Sequence, residues 1–172
     1  MRRRPSRSHA NLALVVLVAV AISACSSTGT PSTAAVELAP DFVVPTADGT
    51  DFSLDEHLAN DGRPIFMNLW ASWCFPCREE MPEIDEASRR HPEVAFIGVA
   101  VQDTTAEATA FLTEVPVSYT IGFDEQGTVD GEYRPLGLPA SYLISSEGVI
   151  LERIFGKVTA DDLTDKFAEH FG

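Results

Sequence analysis

The sequence is short of positive charge. Lysine and arginine number 12 against 26 aspartates and glutamates, leaving a formal net charge of −14. A chain this acidic lacks the basic patches that hold a nucleic-acid backbone. It is equally unsuited to cling to anionic lipid through its folded surface. Long apolar runs are missing too. The stretch from Leu12 to Ile22 is free of charge but covers only 11 residues, too short for a mature membrane-spanning helix. Methionine (3) and histidine (4) form no tract of soft metal ligands. Cysteine is limited to three, an odd number that leaves one thiol to be explained in an exported protein. No internal repeat is visible.

The short apolar stretch has a distinct setting. Arg2, Arg3, Arg4 and Arg7 precede it, and no acidic residue occurs before Glu37. A basic start followed by a short apolar segment is the pattern of a secretory signal peptide. It closes on Ile22-Ser23-Ala24-Cys25, which resembles a bacterial lipobox. That resemblance implies cleavage before Cys25 and a lipid on its sulfur; an ordinary signal peptide with an incidental Cys25 is the alternative. Residues 1–24 are therefore expected to be a lipoprotein signal peptide. Residues 25–39, rich in Ser, Thr, Pro and Ala, are expected to be a flexible tether carrying lipidated Cys25. A folded domain is expected over 40–172. Loss of the leader's four arginines takes the formal charge to −18, so any anchor is the acyl chains and not the protein surface. The chain is expected in the bacterial cell envelope, lipid-anchored on the extracytoplasmic side of a membrane.

With Cys25 set aside, Cys74 and Cys77 remain, in Trp73-Cys74-Phe75-Pro76-Cys77. The apolar run Ile65 to Trp70 precedes them, and a charged, helix-like run from Arg78 follows. The pair thus stands where a strand passes into a helix. Unpaired N–H groups and a partial positive charge at a helix start favour a thiolate, the reactive form. An oxidising compartment would let the pair form a disulfide. A static disulfide and half of a zinc site are the other readings. Zinc needs four ligands, and His57, His91 and His170 are not spaced to complete such a set. No metal and no organic cofactor is expected.

The rest of the domain reads as alternating strands and helices. Asp41 to Pro45 and Thr50 to Phe52 flank Asp48-Gly49 as a hairpin. Ser53 with Glu56 forms a capping box for a short helix through Leu58. Pro64 to Leu69 and Val94 to Val101 read as buried strands, with a helix from Glu79 to Arg90 between them that Pro82 should kink. Thr104 caps a helix carrying Ala108, Phe111 and Leu112. A strand over Ser118 to Phe123 and a short helical piece over Val129 to Tyr133 follow. Ala140 to Ile144 and Val149 to Ile154 pair as a hairpin. A last helix starts at Thr159 and turns Leu163, Phe167 and Phe171 inward. This order predicts an α/β domain with a mixed central sheet flanked by helices.

The segment Asn68 to Pro82 resembles the active-site segment of the TlpA/ResA-like group, membrane-anchored thiol–disulfide proteins of thioredoxin-like fold. Gly137-Leu138-Pro139-Ala140-Ser141-Tyr142-Leu143-Ile144 resembles that group's second landmark, the loop with a cis-proline. The likeness spans Pro40 to Gly172 and accounts for Thr104 to Tyr133 as a helix–strand–helix insert. Phe75 and Ala140-Ser141 depart from the group's usual residues, which leaves the redox potential and the partner open.

The resemblance implies a redox disulfide between Cys74 and Cys77. Cys74, first at the helix end, is expected to attack a substrate disulfide; Cys77, one turn on, is expected to resolve the mixed disulfide. Pro139 is expected in the cis form, freeing the backbone of Leu138 to pair with an extended substrate. Trp73 either shields the disulfide or completes the core. Glu80 lies one turn past Cys77, and the resemblance makes it a proton carrier; a solvated helix glutamate is the other reading. Asn68 stands where thioredoxins proper have a buried acid, which raises the weight on Glu80. The implied activity is reduction of disulfides in exported proteins, apocytochrome c among them, with electrons from a membrane thiol donor. An oxidant that introduces disulfides and a copper-handling chaperone using the CxxC pair are the alternatives.

Overall fold

The computed structural model describes residues 36–172; the predicted signal peptide, most of the tether and Cys25 lie outside the described residues. Twelve elements follow in chain order: β1 (Val43–Pro45), β2 (Asp51–Ser53), α1 (Leu54–Asn60), β3 (Ile65–Trp70), α2 (Phe75–Arg90), β4 (Ala95–Ala100), α3 (Thr105–Glu114), β5 (Thr120–Phe123), α4 (Thr128–Tyr133), β6 (Ala140–Ile144), β7 (Ile150–Phe155) and α5 (Ala160–His170). Five strands form one sheet in the order β5-β4-β3-β6-β7. β3 runs parallel to β4, and β4 to β5, while β6 runs antiparallel to β3 and β7 antiparallel to β6. The β1–β2 hairpin stands apart as its own antiparallel pair.

Both faces of the sheet are covered, so the central strands are continuous apolar runs instead of alternating ones. Every residue of β3, β4 and β6 is buried. On one face, Phe66, Trp70 and Phe96 pack under Met81 and Ile84 of α2, Phe111 of α3, and Leu163 and Phe167 of α5. On the other, Met67, Leu69, Ile97 and Tyr142 pack against Phe42 and Val44 of the hairpin segment, Leu54 of α1 and Tyr133 of α4. The hairpin is fixed to the outer edge of β5 by a bridge between Thr46 and Gly122. A Cβ at Gly122 would stand 2.6 Å from Val44 Cγ2, so the close approach depends on that glycine. The chain at Leu38 bridges Val149 just before β7. Among the described residues, no helix is long and apolar enough to cross a membrane.

Local signals placed most helix starts well. Ser53 Oγ accepts from Glu56 N–H, and Thr104 Oγ1 from Glu107 N–H. Thr159 and Asp162 bond reciprocally as a capping box. At α1 the return bond from the Glu56 side chain is absent, and the helix runs on to Asn60. The main difference is α2, which begins at Phe75, four residues before the predicted start. Phe75 and Pro76 look unlike helix interior, but the first turn needs no N–H from Pro76. Within the assigned bounds α2 continues through Pro82, so that proline does not end the helix; its missing N–H removes only one backbone bond.

Candidate active site

The C-terminal end of β3 turns into α2 through Ala71 to Cys74. Cys74 is the N-cap of α2, in an extended conformation (φ −81°, ψ 103°). Its backbone N–H donates to Ala71 C=O at 3.0 Å. Its Sγ accepts from Cys77 N–H at 3.3 Å, the place an N-cap oxygen normally fills. No acidic side chain occupies the first turn of α2, so nothing there offsets the positive helix end. Cys74 and Cys77 are joined by a disulfide with an S–S distance of 2.02 Å. Cys77 has no exposed surface and Cys74 keeps 3% of its own, so only the first cysteine reaches solvent.

The loop between α4 and β6 delivers the second half of the site. The Leu138–Pro139 peptide is cis. Pro139 is buried and Leu138 half-buried. Pro139 C=O accepts from Gly156 N–H at 3.0 Å, which fastens the loop to the end of β7. The register pairs Leu69 with Ala140, so Pro139 lies at the sheet end where β3 gives way to the cysteine turn. Large apolar side chains stand open around this end. Trp73 is 61% exposed, Phe75 68%, and Leu136, on the loop leading to Pro139, 86%. Trp73 therefore does not complete the core. Its Nε1–H donates to Gln102 C=O at 3.1 Å, and Gln102 holds a left-handed φ of 53°. Ser72 N–H donates to Asp103 Oδ2 at 2.5 Å, tying the same turn to the segment after β4.

Glu80 is 1% exposed and is not a solvent-facing helix residue. Its Oε1 accepts from Asn68 Nδ2 at 2.8 Å and its Oε2 from Val158 N–H at 3.2 Å. Burial pushes its carboxyl pKa up to about 7, against the opposing pull of the Asn68 and Val158 bonds and the Lys157 charge. Lys157 itself pairs with the exposed neighbour Glu79 at 2.6 Å. Asn68 Nδ2 also donates to Ser141 Oγ at 3.0 Å. The structure thus brings together Cys74, Cys77, Glu80, Leu138, Pro139 and Trp73 at one end of the sheet. It adds Asn68 and Val158 as the partners of the buried acid, with Ser141 bonded in turn to Asn68. The sequence signal for that pocket is a break in three apolar runs: Gly98, Asn68 and Ser141 are register partners across β4, β3 and β6. Among the described residues, no group of three or more His, Cys, Asp or Glu is placed to hold a metal ion.

A pair of cysteines at a helix start, one of them reaching solvent beside an exposed apolar collar, can exchange disulfides with another chain. The known proteins that resemble this chain agree with that chemistry. The AhpC/TSA family model matches residues 36–153. A protein of Bacillus cereus named thiol-disulfide oxidoreductase ResA is 30% identical over 127 residues, covering 73% of this chain and 72% of its own. The thiol:disulfide interchange protein HelX of Rhodobacter capsulatus is 35% identical over 107 residues, covering 62% of this chain and 60% of its own. Among solved structures, one described as a thiol:disulfide interchange protein DsbE from Chlorobium tepidum superposes with a TM-score of 0.72 at 29% identity. It matches 80% of this chain and 97% of that one. With the redox pair at the helix start and the cis-proline loop beside it on a five-stranded mixed sheet, the chain belongs to the AhpC/TSA family, among its thioredoxin-like thiol–disulfide oxidoreductases.

Proposed function

We propose that this protein is an extracytoplasmic reductant of disulfides in exported proteins, held at a membrane by lipid on Cys25. The observation that carries the reading is the buried acid. Glu80 lies one turn beyond Cys77 with a carboxyl that titrates near neutrality. A carboxylate close to two cysteines opposes a further negative charge there, so it disfavours a pair that is strongly oxidising because its thiolate is stable. It also offers a place for a proton when a thiol must ionise.

The cycle starts from the reduced pair. The Cys74 thiolate attacks one sulfur of a substrate disulfide, the substrate S–S bond breaks, and the released substrate thiolate takes up a proton. Cys77 gives its proton to the Glu80 carboxylate and attacks Cys74 Sγ. The Cys74–Cys77 disulfide forms and the second substrate sulfur leaves, protonated in turn. The substrate gains two electrons and two protons, and the protein loses both. A membrane thiol donor then restores the dithiol. The backbone of Leu138, with no backbone hydrogen bond among the described residues, pairs with the extended substrate, while Trp73 and Leu136 meet its apolar side chains. Apocytochrome c before haem attachment is the proposed substrate class.

The test replaces Cys77 with Ser in the full-length chain, expressed in its own cell envelope. The mixed disulfide on Cys74 then has no resolving thiol and accumulates. Mass spectrometry of the trapped species is expected to return exported proteins with paired cysteines, apocytochromes among them. An empty trap, with Cys74 free and reactive, counts against substrate exchange. Mass analysis of the mature N-terminus tests the anchor, and an unacylated Cys25 removes it.

A further inference from the structure

One buried polar side chain has no part in the proposed cycle. Asn68 lies in the middle of β3 between Met67 and Leu69 and has no exposed surface. Burying an amide in an apolar strand costs free energy unless its hydrogen bonds are made. Asn68 makes only part of its set. Its Nδ2 serves both Glu80 Oε1 at 2.8 Å and Ser141 Oγ at 3.0 Å, while its Oδ1 has no partner. The amide is oriented for the two acceptors it serves, at the expense of its own. On its other side the register partner is Gly98, which offers no side chain. A Cβ there would meet Trp70 Nε1 at 3.2 Å and the Tyr119 ring at 3.0 Å.

We propose that Asn68 is the positioning residue of Glu80, clamping its carboxylate on the buried face of α2 and tying it through Ser141 to the strand that follows Pro139. The proposal deepens the reading of Glu80 as proton carrier and rests on it. Asn68 acts through Glu80 and bonds to neither sulfur. An N–H donor favours the ionised carboxylate, so Asn68 opposes the effect of burial. Val158 N–H does the same at the other oxygen. The titratable groups facing this acid are Lys157 before α5 and the Tyr119 hydroxyl before β5, joined by the Cys77 thiol one turn back on α2 once the disulfide is reduced; Asp85, further along α2, acts on the Tyr119 hydroxyl as well. β3 and β6 contribute no titratable group to this pocket, only the polar side chains of Asn68 and Ser141.

A unit of one carboxylate and one amide can be exchanged. In full-length protein, four variants are compared with wild type: Asn68→Leu, Asn68→Asp, Glu80→Gln and the double exchange Asn68→Asp with Glu80→Gln. Two quantities are read. One is the ¹³C titration of the carboxyl at 80 or 68; the other is the pH profile of Cys74 alkylation in the reduced protein. Asn68→Leu is expected to tighten the proton on Glu80 by about tenfold to a hundredfold, an upward shift of about one to two pH units, because a bond to the charged form is lost. Asn68→Asp sets two carboxyls against each other and splits their titration into two steps. The double exchange restores one of each, and its alkylation profile returns towards wild type while both single changes depart from it. A Glu80 titration unmoved in folded Asn68→Leu overturns the proposal, as does a double exchange no nearer to wild type than Asn68→Asp. If Asn68→Leu does not fold, Ser141→Ala, which removes only the second tie of the amide, must shift the Glu80 titration upward by a smaller step; no shift there overturns it. An unchanged alkylation profile in Glu80→Gln would instead refute the proton-carrier reading, and the carboxyl titration still decides the role of Asn68.

Discussion

Replacing Glu80 with Gln removes a titrating proton while keeping the shape of the side chain, and the effect on stability can be worked out across pH. An ordinary glutamate has a pKa of 4.5, and burial raises that of Glu80 to about 7. Below pH 4.5 both the unfolded chain and the folded protein carry the proton. Between 4.5 and about 7 the unfolded chain has released it and the folded protein still holds it. The folded state then binds more protons, so stability falls as pH rises through this window and levels off above it. A gap of about 2.5 units at about 1.4 kcal/mol each amounts to about 3 kcal/mol.

Glu80→Gln has no such loss. Gln at this place still accepts from Asn68, and the mismatch of its NH2 with Val158 N–H is a fixed cost independent of pH. The stability of the variant relative to wild type is therefore expected to rise by about 3 kcal/mol between pH 4 and pH 8. Every group common to both proteins cancels in the difference. Asp48 and Asp61, both held to about 2 by hydrogen bonds, lose their contribution only as pH falls below the ordinary 3.8, outside the window. The assay is urea unfolding of the oxidised proteins at pH 4, 5, 6, 7 and 8, with the disulfide intact throughout. Parallel stability curves would refute the reasoning, and a ¹³C midpoint near 4.5 would locate the fault in the burial argument.

Three further outcomes are expected. Trp73→Ala removes an exposed indole, so it should leave the melting temperature nearly unchanged yet slow mixed-disulfide formation with a protein substrate by at least about fivefold, as loss of an interface aromatic does; equal stopped-flow rates would show that Trp73 does not touch substrate. Gly122→Ala drives a Cβ into Val44 Cγ2 and should cost about 1–3 kcal/mol in thermal unfolding; an unshifted melt would mean the hairpin is not fixed against β5. Asp85→Ala should cost about 1–3 kcal/mol at neutral pH, because Asp85 Oδ1 accepts from both Ser118 N–H and Ser118 Oγ–H at 2.6 Å. Burial pushes the Asp85 pKa up, but the Ser118 and Arg89 bonds outweigh it and leave it lowered, so this cost should shrink as pH falls below 3.8.

What could be read in the sequence followed the strength of each local signal. The apolar runs at β3 and β4 are long enough to be seen as strands buried on both faces, and Ser53, Thr104 and Thr159 announced their helices through ordinary cap chemistry. The start of α2 was misplaced because its cap is a sulfur, and a cysteine is not a usual N-cap. The CxxC and the Gly-Leu-Pro segment were legible as motifs, since both are short and local. The surroundings of Glu80 were not. They depend on sheet register, which joins Gly98, Asn68 and Ser141 across three strands that lie far apart in sequence. One non-apolar residue in the middle of each run is the trace they leave. Trp73 was open between core and surface because a Trp beside an apolar strand fits both, and only the path of the turn decides.

The balance at Glu80 explains why its pocket combines burial with two donors. At pH 7 an ordinary glutamate holds a proton roughly one part in 300 of the time, by the ten-fold-per-unit rule. Such a group takes a proton from a thiol and at once loses it to water, so it stores nothing. Burial alone errs the other way: a carboxyl without partners in an apolar pocket stays protonated at neutral pH and can accept no second proton. The Asn68 and Val158 donors pull the proton affinity back. With the pKa near 7, both forms are populated at neutral pH. Oxidation of a dithiol to a disulfide releases two protons, one at each attacking sulfur, and Cys77 itself has no exposed surface. In the proposed cycle a carboxyl poised between its two forms, one helical turn away on α2, takes that proton.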